Sequence, residues 1–394
     1  MNFILIFGII LASFFFTTVS ESSELDSVSL PDPLTTQEGE KVTTVEQWQK
    51  IRRPEILELF KVNIYGRAPV GRPENFRLET KNINPKAMGG KATLKLVDIH
   101  FSGPGGEGLI KLELFIPNKV IKPVSGFLLI RNRPRGSSES TEEIIKPFSS
   151  AEQIIDRGYM AASLYTSDLD PDYFDEFKNG VHGIFDPKGV QRSLDAWGTM
   201  SAWAWGASRV MDYFETDEDI DEKRIGVIGH SRNGKAALWC GALDERFSLT
   251  ISNNSGCSGA ALARNKKGER VKRITTVFPH WFCENYKKFQ DNEDSLPVDQ
   301  HELIALMAPR LVYVASASKD KGADPEGEFL SCVHADPVYR LFGLQGIKST
   351  EMPGVGEALH DGHIGHHIRD GKHALTEYDW NHYMDFADKH WKKK

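Results

Sequence analysis

The chain has 394 residues, 40% of them hydrophobic, with no long biased tract and no internal repeat, enough to bury one large core with extensions. Its formal net charge of -7 argues against nucleic acid or an anionic membrane as the main partner.

From the N-terminus, Phe3 to Phe16 is nearly all apolar and runs into Thr17-Thr18-Val19-Ser20, which reads as a secretory signal over residues 1–20. No Lys or Arg precedes the run, so an uncleaved anchor is the rival reading, but the run is short against the roughly 20 residues of a membrane span. The expectation is a secreted or periplasmic protein with no stable membrane association after cleavage. Export permits disulfides among Cys240, Cys257, Cys283 and Cys332; the sequence selects no pairing, and buried free thiols suit a core of this size. Residues 21–44 are polar, rich in Ser, Thr and Pro, and read as a flexible linker, leaving residues 45–394 as one domain with an N-terminal extension.

Within that domain, Glu46 to Phe60 has apolar residues at helical spacing. Alternation over 92–99 and 109–116, around Gly103-Pro104-Gly105-Gly106, predicts a hairpin. Short apolar runs at 127–130 and 159–165 flank a helical stretch over 144–157, and 190–214 reads as a long helix whose Trp197, Trp203 and Trp205 are assigned to packing. Further strands are expected at 225–228, 249–252 and 311–315. Strands alternating with helices give a mostly parallel sheet covered on both faces, a three-layer α/β sandwich of the α/β-hydrolase kind.

The strand ending at Ile228 runs into Gly229-His230-Ser231-Arg232-Asn233-Gly234-Lys235 and then a helix, which is the form of a nucleophile elbow. Gly229 keeps the usual upstream glycine, while Asn233 fills the downstream place and Gly234 follows it. An elbow serine needs a general base and an acid to orient that base, in the chain order Ser, acid, His. His373, in a glycine-containing loop near the C-terminus, is the candidate base. Asp320 follows the 311–315 strand where this fold places its acid, with Asp324 in reserve. His360, His363, His366 and His367 invite a zinc reading, but the segment is glycine-rich and lacks H-E-x-x-H helical spacing.

The string Gly-x-Ser-Arg-Asn-Gly-Lys, the segment Arg369-Asp370-Gly371-Lys372-His373, and the motifs Tyr65-Gly66-Arg67, Asp299-Gln300-His301 and Ala308-Pro309-Arg310 resemble the glucuronoyl esterases, carbohydrate esterase family 15. The resemblance runs from about Trp48 to Tyr383. It implies a serine esterase acting on esters of (4-O-methyl-)glucuronic acid in plant or algal wall polysaccharide or lignin–carbohydrate esters, with no metal or organic cofactor. It also implies that Arg232 helps to hold the oxyanion and that Glu269 contacts the sugar. Lys235, one turn after Ser231, falls on the same helix face; Trp281 is a candidate cleft wall and His301 a candidate pocket residue.

Two departures from the family pattern stand out. Where many members carry a glutamate after the strand following the elbow helix, this chain has Asn254, which cannot be an anion, so it resembles bacterial members whose acid sits at the position of Asp320. A tryptophan common beyond that acid is missing from Lys321-Gly322-Ala323. The rival enzyme reading is an acetyl xylan or other polysaccharide esterase; the rival from another class is a non-catalytic carbohydrate-binding protein, against which intact Ser231, Arg232 and His373 argue.

Overall fold

The computed structural model describes residues 29–132, 148, 150–265 and 267–391. The expected signal, residues 1–20, lies outside the described residues, as do residues 144–147 of the helix expected over 144–157, of which Ala151–Asp156 is helical.

Ten strands form one sheet: β1 (Phe76–Lys86), β2 (Ala92–Gly103), β3 (Gly106–Pro117), β4 (Val124–Arg131), β5 (Met160–Tyr165), β6 (Ile220–His230), β7 (Leu249–Asn253), β8 (Leu311–Ala317), β9 (Ala358–Leu359) and β10 (Ile364–Arg369). Their order is β1-β2-β3-β5-β4-β6-β7-β8-β10-β9. From β5 to β10 in that order every pair is parallel, whereas β1, β2 and β3 form an antiparallel extension and β9 pairs antiparallel with β10. The sequence explains the division. β7, β8 and β10 are buried at every residue, as strands covered on both faces must be, while β2 alternates buried and half-buried positions. Two apolar cores lie on the two faces of the sheet, one beneath the helices Thr199–Phe214, Arg232–Leu243 and Pro325–Leu341, the other beneath Ala151–Asp156 and Glu377–Trp391. This is the expected α/β-hydrolase sandwich.

The hairpin forms as predicted, with Gly103 opposite Gly106. The long helix is shorter than its apolar periodicity suggested: it begins at Thr199, not Val190. Its first amides donate elsewhere, Thr199 N–H to His280 O at 2.9 Å and Met200 N–H to Trp281 O at 3.1 Å. A Cβ on Gly198 would lie 2.4 Å from Trp281 O, so glycine there lets the helix start against that backbone. Trp197, Trp203 and Trp205 are buried, as assigned. All four cysteines are buried free thiols.

Residues 29–44 fall within the stretch expected as a linker, yet this part lies on the body. Val42 is buried, and Arg52 donates to Pro33 O at 3.3 Å while forming a buried pair with Glu302 at 2.8 Å. Further along, Tyr65 stacks on Trp239 of the elbow helix at 4.4 Å and its hydroxyl donates to Ser258 O at 2.7 Å, so the N-terminal extension braces the helix that carries the site.

Near β10, His360 and His367 both bond to the Tyr313 hydroxyl and His367 also bonds to Asp379; among the described residues no His, Cys, Asp or Glu group is arranged to hold a metal ion. His366 is fully buried against Phe329, and burial pushes its pKa down to about 3. An unfolded histidine titrates near 6.5, so below that pH the unfolded state binds a proton the folded state refuses, and stability falls as pH falls. Relative to His366→Phe, the wild type is expected to lose about 1.6 kcal/mol between pH 6.5 and 5, somewhat under 1.36 kcal/mol per pH unit because the unfolded histidine is only half protonated at pH 6.5. Urea unfolding of both proteins at the two pH values checks this; parallel losses would refute it.

Candidate active site

The parallel strands deliver four residues to one edge. In register, His230 of β6 lies opposite Asn253 of β7, Asn253 opposite Ala315 of β8, and Ala317 opposite Arg369 of β10. The residues that leave these strand ends, Ser231, Asn254, Asp320 and His373, therefore emerge together at the carboxyl edge of the sheet, where open α/β folds bind ligands. All four line one cleft of about 670 Å³ with Arg232, Lys235, Glu269, Phe278 and Trp281.

Ser231 has φ 59° and ψ -126°, the strained turn of an elbow, and caps the helix Arg232–Leu243. A Cβ on Gly229 would lie 1.9 Å from Asn233 O, so that glycine is compulsory. The contact involves only the Asn233 backbone, whose side chain turns toward Asn132 at 3.4 Å, which explains why asparagine is tolerated where a glycine was looked for. The Ser231 amide is spent on Asn253 O at 2.8 Å, whereas the Arg232 N–H opens the helix, where amides have no intrahelical acceptor.

His373 Nδ1 donates to Asp320 Oδ2 at 2.5 Å. A carboxylate only accepts, so this contact leaves Nε2 as the basic nitrogen. Asp320 is 9% exposed. Its loop is sewn to the histidine loop by Ser318 N–H to Arg369 O and Lys319 N–H to Gly371 O, both 2.9 Å. Asp324 is occupied elsewhere: it caps the helix Pro325–Leu341, accepting from Gly327 N–H at 3.1 Å and from Asn265 at 2.8 Å. Asn254 is 1% exposed, with no hydrogen-bond partner for either amide atom among the described residues.

Arg232 is fixed on three sides. Its Nη1 donates to Asp172 Oδ2 at 2.5 Å, and its guanidinium lies over Trp281 at 4.8 Å and Phe278 at 5.2 Å, two rings that stack at 3.8 Å. Asp172 also accepts from Trp281 Nε1 at 2.8 Å. Burial alone would raise the Asp172 pKa, but hydrogen bonds from His280 and Trp281 and the charge of Arg232 hold it below the ordinary carboxylate value. A charged donor thus stands beside the elbow with little freedom left.

Lys235 is 3% exposed, and its ammonium donates to Ser255 O at 2.6 Å and Cys257 O at 2.5 Å, with Glu269 at 3.8 Å. Burial pushes its pKa down, and Glu269 opposes that. Glu269 is held to the acid loop by its N–H to Gly322 O at 2.9 Å.

His301 is not a pocket residue. It is fully buried, its Nε2 meets Pro31 O at 2.8 Å, and its ring packs on His334. The capping box of Asp299 and Glu302 starts the helix Gln300–Ala305 and turns His301 toward the N-terminal strap. The motif around it serves architecture: Asp299 accepts from Ala263 and Arg264 amides, and Arg310 donates to Gly241 O and Phe247 O.

Three residues of the site went unread in the sequence. Asp172 and His280 reach Arg232 or its partner across long stretches of chain, and no local pattern marks them. His230 lies 4.5 Å ring to ring from His373, and its Nδ1 donates to Asn253 Oδ1 at 2.6 Å. Burial, with a smaller contribution from His373, lowers its pKa to about 4, so it stays neutral beside His373.

A family model described as "Glucuronyl esterase, fungi" matches residues 190–343. A carbohydrate esterase, MZ0003, from an unknown prokaryotic organism is 41% identical over 94% of this chain and 91% of its own length. A 4-O-methyl-glucuronoyl methylesterase of Schizophyllum commune is 30% identical over 86% of this chain and 79% of its own. Among solved structures, a glucuronoyl esterase from Solibacter usitatus is 40% identical with a TM-score of 0.86, covering 93% of this chain and 100% of that one. A promiscuous CE15 esterase from a marine bacterial metagenome is 40% identical with a TM-score of 0.83, covering 93% and 98%. With that identity sustained over nearly the whole length, an elbow serine and the fold to present it, the chain belongs to the glucuronoyl esterases, a family of serine-type carbohydrate ester hydrolases.

Proposed function

We propose that this chain hydrolyses esters of glucuronic acid through an acyl-enzyme on Ser231. His373 Nε2 takes the serine proton and returns it to the leaving alcohol, while Asp320 holds Nδ1–H and stabilises the imidazolium. The Arg232 guanidinium and the Arg232 N–H meet the oxyanion, and water then releases the uronic acid. The observation that carries the reading is the 2.5 Å contact between His373 Nδ1 and Asp320 in the cleft that also holds the strained Ser231. The chemistry calls for no metal or organic cofactor.

The uronate specificity rests on relatives such as the 4-O-methyl-glucuronoyl methylesterase. Glu269 can accept from sugar hydroxyls, buried Lys235 fixes the wall beside it, and Trp281 with Phe278 supplies an apolar face. The substrate lies outside the cell, in uronic-acid-containing polysaccharide or its esters to lignin, with residues 1–20 as export signal and a catalytic domain that includes the N-terminal strap from residue 29. A second reading, an acetyl xylan or other polysaccharide esterase, is favoured by one feature: the loop Lys321–Ala323 brings no aromatic ring to the cleft.

Hydrolysis of benzyl glucuronate beside acetylated xylan, with fluorophosphonate labelling of Ser231, tests the proposal. Cleavage of the uronate ester with labelling is expected. Release of acetate alone would favour the second reading. A folded wild type that turns over neither and never labels would sink the enzyme reading.

A further inference from the structure

The Arg369–His373 segment holds a device that the proposed chemistry does not use directly. Arg369 ends β10 with its side chain 7% exposed, and its guanidinium is wrapped by the loop that follows. Nη2 donates to Lys372 O at 2.7 Å and to Ala374 O at 2.6 Å, the two carbonyls flanking His373, and Nη1 donates to Asp370 O at 3.1 Å. Nε donates to Asp379 Oδ2 at 3.1 Å. Asp379 is fully buried in the first turn of the C-terminal helix and also accepts from His367 Nε2 at 2.9 Å and from the Thr376 amide and hydroxyl. The carboxylate neutralises the guanidinium and fixes its plane, so the remaining N–H groups point at the loop.

Gly371 completes the arrangement. It has φ 124°, and a Cβ there would lie 2.7 Å from Arg369 Nη1. Any side chain at 371 would push the guanidinium off the carbonyls. The spacing arginine, glycine, histidine at 369, 371 and 373 thus has one physical account: the glycine makes room for a planar five-donor group that grips the backbone on both sides of the imidazole.

We infer that Arg369 is a positioning residue that holds His373 in the geometry of the Asp320 contact, with Asp379 and Gly371 as its supports. The inference rests on the reading of His373 as the base. His373 has a half-exposed side chain whose ring meets His230 at 4.5 Å, so its backbone must be restrained for Nδ1 to keep the Asp320 contact. A displacement near 1 Å costs about a hundredfold in rate.

Arg369→Lys keeps a cation for Asp379 but cannot reach both flanking carbonyls. Its kcat on benzyl glucuronate is expected to fall about 30- to 100-fold with KM within about twofold, in a protein that folds with a lowered Tm because part-buried carbonyls lose their donor. The far-downfield proton resonance of His373 Nδ1–H should broaden or vanish. Should Arg369→Lys fail to fold, Gly371→Ala tests the same grip with Arg369 and Asp379 both in place and should give the same kcat loss. Wild-type kcat and an unchanged downfield proton in either folded variant would overturn the inference, as would a loss confined to KM. His373→Ala run alongside separates the two levels: if that variant retains activity the reading of the base has failed, whereas a dead His373→Ala with a fully active Arg369→Lys removes only the clamp.

Discussion

Ser231→Ala is expected to lower kcat on a glucuronate ester by about 10⁵- to 10⁶-fold while leaving the protein folded and able to bind substrate. The size follows from what is removed. Without the hydroxyl there is no covalent intermediate, and His373 and Asp320 have no nucleophile to activate; what survives is binding and whatever oxyanion stabilisation Arg232 gives to direct attack by water. The fold should be indifferent, because Ser231 holds its place through backbone contacts, its N–H on Asn253 O and its carbonyl accepting from Gly234, and these survive in alanine. The measurement is kcat and KM beside Tm and fluorophosphonate labelling. A Ser231→Ala protein that still turns over at even a hundredth of the wild-type rate would mean that the nucleophile lies elsewhere.

The local features of this site could be read from the chain because they are written in consecutive residues. Gly229 and Ser231 sit between an apolar strand and a helix, and the backbone crowding that demands that glycine belongs to the elbow itself. Asp320 is a candidate because it follows the apolar run of β8, and His373 because it sits in a glycine-containing loop near the C-terminus in the order Ser, acid, His; the parallel register of β8 and β10 brings their loops together. What escaped depended on partners far away in the chain. Asp172 is 60 residues from Arg232, and nothing near Asp172 announces a cationic partner. His301 is a pocket candidate in the sequence only through the family resemblance of Asp299-Gln300-His301, but a capping box decides its direction and the strap from Pro31 covers it. The long helix was overcalled for a similar reason: apolar spacing continues upstream of Thr199, but the 280–281 backbone takes its first amides. Periodicity records which face is buried, and tertiary partners decide where an element starts.

The second large effect concerns the acid. Asp320→Asn is expected to cut kcat about 10⁴-fold, because an amide at this place accepts poorly from Nδ1–H and can present its own N–H instead, favouring the tautomer with hydrogen on Nε2, which cannot take the serine proton. It also leaves the imidazolium unpaired in a loop where the carboxylate is 9% exposed. Asp324 provides the internal control. As the N-cap of Pro325–Leu341, it can be replaced by Asn, itself a good cap, with activity retained, and by Ala with a stability loss of about 1 kcal/mol and kcat unchanged. A third variant addresses the vacant family position. Asn254→Glu in the Asp320→Asn background puts a carboxylate after β7, next to the strand that carries Asp320, and on the cleft that holds His373. If the base needs only an anion within reach, that protein recovers at least tenfold over Asp320→Asn. If it needs the loop that ties Ser318 and Lys319 to Arg369 and Gly371, it recovers nothing, because the glutamate would arrive from the wrong side of a base held by its neighbours. Equal and full activity in Asp320→Asn and wild type would rule out Asp320 as the acid altogether.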